Sequence, residues 1–136
     1  MELKTVETEQ STKTAAFGGN GGSAFETCTD INMIGLRTGS RVDQITINGA
    51  SHGGGGGSDI GTITLGSDDY ICDVEIRSGS EVDYVRFLTS DGVSIGGGGS
   101  GGSLTRLENI RVTAIGGRSG SRVDKLEITY IPNYKG

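Results

Sequence analysis

A five-residue stretch recurs three times along this chain, and its spacing constrains the fold more than any other feature. Gly39-Ser40-Arg41-Val42-Asp43 returns unchanged as Gly120-Ser121-Arg122-Val123-Asp124. Gly79-Ser80-Glu81-Val82-Asp83 repeats it with one substitution. The aspartates at 43, 83 and 124 mark a period of about 40 residues, the mark of an internal repeat. An aliphatic residue (Ile34, Val74 or Ile115) stands five residues before each motif glycine. After each aspartate, apolar and polar residues alternate: Ile45 and Ile47, Val85 and Phe87, Leu126 and Ile128. Alternation of period two marks a half-buried strand. Each GSxVD therefore joins two strands, with its valine as a shared core anchor.

A glycine loop of the form GGxGGS also occurs three times, at Gly18–Ser23, Gly53–Ser58 and Gly98–Ser103. Between Asp43 and the second loop lies Asn48-Gly49, a strong two-residue hairpin signal. Between Asp83 and the third loop lies Asp91-Gly92, read as the corresponding turn. A hairpin returns the chain to the end it left, so each aspartate turn faces the glycine loop that follows it. The third motif has no loop after it, and the first loop has no motif before it. Closure resolves both. The N-terminal segment, residues 1–16, is expected to pair with the C-terminal strand, bringing Gly18–Gly22 to Gly120–Asp124. Closure also removes exposed sheet edges.

Composition supports an all-β chain of one domain spanning 1–136. Glycine accounts for 26 residues and proline for one, while hydrophobic residues make up 32% and sit in short Ile, Val and Leu clusters. Such a pattern favours many short strands and turns over helices. The net charge of −5 and the lack of a basic run point away from nucleic acid. No apolar run is long enough to cross a bilayer. The polar start MELKTVETEQ lacks the apolar segment of a secretory signal, which implies a cytoplasmic location. Cys28 and Cys72 lack a CxxC spacing and are expected as free thiols rather than metal ligands.

With these residues in view, the chain resembles the jacalin-related lectins over roughly residues 13–131. The stretch Phe17–Glu26 is similar to that family's first glycine loop, and Gly120–Asp124 is similar to its GxxxD sugar-binding loop. The resemblance implies a type I β-prism: three four-stranded Greek-key sheets with pseudo-threefold symmetry. It also implies binding of mannose- or glucose-containing oligosaccharides or glycoproteins, as in the uncleaved branch of the family, and assembly into a dimer or tetramer. No cofactor and no metal are implied. On this reading Asp43, Asp83 and Asp124 each accept hydrogen bonds from two neighbouring sugar hydroxyls. An ionised carboxylate has two acceptor oxygens and strengthens such bonds by its charge. Donors would be the backbone N–H groups of the turns that begin at Gly39, Gly79 and Gly120, from Ser40 and Arg41, Ser80 and Glu81, and Ser121 and Arg122. By the same resemblance, Gly22, Gly57 and Gly102 add one N–H each from the glycine loops. The Arg-to-Glu change at Glu81 falls where only an N–H is required.

Other readings of the same residues are less economical. The aspartates could cap their own turns, and the glycine runs could be linkers, but neither accounts for three matched pairs. No GK[ST] follows the glycines, so a phosphate loop is unsupported. His52 is the only histidine and is expected as an exposed hairpin residue. Glycoside hydrolysis needs two carboxylates per site, and each repeat offers one, so no enzyme is expected. The remaining alternative is a structural or protein-interaction prism without sugar binding.

Overall fold

Each apolar–polar alternating segment forms a strand, and no helix occurs among the described residues. The structure, a computed structural model, describes residues 11–135. The strands in chain order are β1 (Lys13–Gly18), β2 (Ser23–Thr29), β3 (Met33–Thr38), β4 (Val42–Ile47), β5 (Ala50–Gly53) and β6 (Ser58–Thr64). They continue as β7 (Ile71–Ser78), β8 (Val82–Thr89), β9 (Ser94–Gly98), β10 (Ser103–Glu108), β11 (Arg111–Ser119) and β12 (Val123–Ile131).

The strands assemble into three four-stranded antiparallel sheets. Their orders are β5-β4-β3-β6, β10-β7-β8-β9 and β1-β12-β11-β2. In the first two, three strands follow one another through hairpins and the fourth returns beside the first, which is a Greek key. The remaining sheet has the same layout, but its members come from both ends of the chain. Lys13 pairs with Tyr130 and Gly18 with Lys125, so the N-terminal strand supplies the arm that the third repeat lacks. The expected closure is thus observed for β1; residues 1–10 of the segment lie outside those described.

The core sits where the sheets meet, with β4, β8 and β12 in mutual contact. The three motif valines, Val42, Val82 and Val123, are fully buried. So are Ile34, Val74 and Ile115, and with them Ile45, Val85, Phe87, Leu126 and Ile128. At about 25 cal/mol per Å² of apolar surface, each such side chain contributes about 1.5–3 kcal/mol.

The two hairpins expected to match differ. Asn48 and Gly49 both have positive φ, 51° and 91°, as a two-residue type I′ turn requires. At Asp91-Gly92 only the glycine is positive, and the connection between β8 and β9 is four residues long. The Thr89 hydroxyl explains the longer loop: it accepts from Val93 N–H at 3.1 Å and donates to Val93 C=O at 3.0 Å.

Candidate functional site

The same irregularity appears in all three hairpins that carry GSxVD. Arg37 pairs with Gln44 but Thr38 with Val42, so Asp43 is an extra residue without a partner across the ladder. Asp83 is skipped in the same way between Arg77–Tyr84 and Ser78–Val82, and Asp124 between Arg118–Lys125 and Ser119–Val123. Each aspartate therefore occupies a β-bulge. A bulge lets two residues oppose one and re-aims a side chain out of the pleat. It keeps both Val42 and Ile45 in the core although they are three residues apart, and the freed carboxylate turns to the glycine loop.

There the carboxylates meet the last two glycines of each loop. A Cβ built on Gly21 or Gly22 would lie 2.7 Å from an Asp124 carboxylate oxygen. On Gly56 it would lie 2.9 Å from Asp43 Oδ1, and on Gly101 and Gly102 it would lie 3.0 Å and 2.8 Å from the Asp83 oxygens. Gly22, Gly57 and Gly102 also have φ of 64°, 65° and 68°, so these positions need glycine for conformation as well as space. The first glycine of each turn backs the same loop: Gly39 faces Gly57, Gly79 faces Gly102 and Gly120 faces Gly22. Gly54, Gly99 and Gly19 donate to the main-chain carbonyls of Asp43, Asp83 and Asp124 at 2.8–2.9 Å. The turns themselves close through backbone bonds, Gly39 N–H to Arg41 C=O, Gly79 to Glu81 and Gly120 to Arg122. Among the described residues no backbone N–H of these turns donates to the Asp43, Asp83 or Asp124 carboxylate, so the structure lends turn capping no support.

An arginine that the motif reading missed holds each loop in place. Arg37 donates to the carbonyls of Gly55, Gly56 and Gly57, Arg77 to Gly101 and Gly102, and Arg118 to Gly21 and Gly22, all at 2.9–3.1 Å. In a planar trans peptide, C=O and the following N–H point opposite ways. Holding the carbonyls of Gly56, Gly101 and Gly21 thus turns the N–H groups of Gly57, Gly102 and Gly22 away from the arginine. The signal was present in the sequence: Arg37, Arg77 and Arg118 each stand two residues before a motif glycine.

The side chains at the variable position of the turn are not idle. Arg122 donates to both Glu81 oxygens at 2.6 Å and 3.1 Å, and Arg41 lies 3.8 Å from the same carboxylate. Beside the N–H that the motif offers there, the charge reversal in one copy places an acceptor between two guanidinium groups. The Arg122 hydrogen bond, more than its charge or that of Arg41, holds the Glu81 carboxyl below its ordinary pKa. His52 is also half-buried rather than exposed. Its ring stacks on Phe25 at 4.0 Å, and burial lowers its pKa. Cys28 and Cys72 are free, and no group of three or more metal-binding side chains occurs among the described residues.

The Jacalin-like lectin domain model matches residues 14–129. The chain belongs to the jacalin-like lectin family. Griffithsin from Griffithsia sp. is 44% identical over 115 residues, covering 84% of this chain and 93% of that protein. Malaysian banana lectin superposes with a TM-score of 0.74 at 22% identity, over 90% of this chain and all of its own. A mannose-binding jacalin-related lectin from Ananas comosus gives 0.74 at 22% identity, over 89% and 98%. The fold is the β-prism of these proteins, and the family is one of carbohydrate-binding proteins, not enzymes.

Proposed function

We propose that this lectin binds mannose- or glucose-type glycans at three equivalent sites, each formed by one aspartate turn and one glycine loop, without a metal ion. The observation that carries the reading is the bulged aspartate: in all three repeats its carboxylate faces the last two glycines and is left out of the bonds that close its turn. Asp43, Asp83 and Asp124 accept from two adjacent sugar hydroxyls. The N–H groups of Gly57, Gly102 and Gly22, turned out by the arginines, donate to the sugar oxygens, together with the turn N–H groups. An axial hydroxyl at the 4-position of a hexose would not meet the carboxylate in this way, so galactose is disfavoured. The description of the Ananas comosus neighbour as mannose-binding supports the choice of sugar.

No site has a tryptophan platform, because the chain contains no tryptophan. Binding per site is therefore about millimolar, or about 4 kcal/mol, and avidity arises from occupying several sites together. Isothermal titration with methyl α-mannoside, in the presence of EDTA, is expected to give three sites per chain. The triple variant Asp43→Asn, Asp83→Asn, Asp124→Asn is expected to bind none. Retained binding in that variant overturns the role of the carboxylates. A glycan array without hits overturns the sugar reading and favours a protein-interaction prism.

A further inference from the structure

The three sites are packed against one another. A Cβ on Gly19, in the loop of the Asp124 site, would strike the Ser80 carbonyl of the Asp83 turn. Gly99, in the loop of the Asp83 site, stands in the same relation to Ser40, and Gly54, in the loop of the Asp43 site, to Ser121. Each loop thus abuts the next turn, and the contacts close a ring. Inside it the side chains of Arg41, Glu81 and Arg122 meet. The three turns belong to three different sheets. The aliphatic core ends at Val42, Val82 and Val123, one residue from this triad. Beyond those valines, the described side-chain pairing between the turns is ionic.

Three arginines at this position would repel one another. One glutamate reverses the sign of the interaction, and its two oxygens offer enough lone pairs for both guanidinium groups. Arg122 engages it as a two-pronged fork, a geometry that fixes orientation as well as distance. Arg41 approaches with a single longer contact and a side chain 43% exposed.

We infer that the Glu81 side chain fixes the spacing of the three sites and so determines selectivity for branched glycans that reach two sites at once. The inference rests on the carbohydrate-binding reading above. A ligand spanning two sites gains avidity only if their separation matches its own reach. A ligand filling one site is indifferent to that separation. The clamp therefore acts on the ratio of the two affinities.

The test compares methyl α-mannoside with a branched trimannoside by titration against wild type, Glu81→Gln and Arg122→Lys. Arg122→Lys keeps the charge but loses the fork. In Glu81→Gln, trimannoside affinity is expected to fall at least about ten-fold more than methyl mannoside affinity, with a smaller loss of the ratio in Arg122→Lys. A parallel loss of both ligands, or no loss of either, in the two variants overturns the clamp. Should Glu81→Gln not fold, Arg122→Lys alone decides by the same ratio. Wild type that binds neither sugar overturns the proposed mannose- or glucose-binding sites and this inference with them.

Discussion

The Arg122 guanidinium donates two hydrogen bonds to the Glu81 carboxylate across the gap between two sheets, at 2.6 Å and 3.1 Å. The pair joins turns that lie about 40 residues apart in the chain. Because the bond to Arg122 depresses the Glu81 pKa, the charged form is the one that favours the fold. The contribution is fully present above the ordinary glutamate range and is lost as pH falls through the lowered folded value. Glu81→Gln is expected to cost about 1 kcal/mol at neutral pH. The gap in thermal midpoint between wild type and variant should stay constant above the ordinary glutamate range and close as pH falls through the lowered folded value. A gap that persists unchanged into acid contradicts the assignment.

Arg118→Ala should loosen one loop only. The carbonyls of Gly21 and Gly22 lose their donor, and the Gly22 N–H loses its fixed direction. Titration is expected to show two sites in place of three, with a stability loss of about 1–2 kcal/mol. Arg37→Ala and Arg77→Ala should act in the same way on the Asp43 and Asp83 sites. Lysine should not rescue, because one ammonium group cannot reproduce a planar fork.

Neighbouring glycines of one loop should respond oppositely to alanine. A Cβ on Gly54 meets the Ser121 backbone carbonyl, whereas nothing lies within 4 Å of one on Gly55. Gly54→Ala is expected to lose about 2 kcal/mol or more, since backbone cannot yield cheaply. Gly55→Ala should fall within about 0.5 kcal/mol of wild type. Thermal melts of the two variants check both values.

The bulge separates substitution from deletion. Asp83→Asn keeps the extra residue and should melt within about 1 kcal/mol of wild type. Deleting Asp83 removes the bulge and shifts the strand by one residue, turning Val85 and Phe87 out of the core or Val82 out of it. Loss of cooperative unfolding in the deletion, with a normal transition in the substitution, is the expected outcome.

The sequence determined the strands, the repeat and the closure. Those features follow from local periodicity, from the Asn48-Gly49 turn and from the mismatch between three motifs and three loops, all of which a linear chain displays. Even the bulge was legible: Val42 and Ile45, Val82 and Val85, and Val123 and Leu126 are each three apart, and two inward residues at that spacing require one extra between them. The loop arginines recurred at a fixed offset and were visible too. Tertiary structure alone decided the meeting of Arg41, Glu81 and Arg122, the stacking of His52 on Phe25, and the contact of each second glycine with the neighbouring turn. Those pairs arise from how three sheets are turned about a common centre. Side-chain reach and charge select partners among groups that three separate sheets bring together, so no spacing along the chain could announce them.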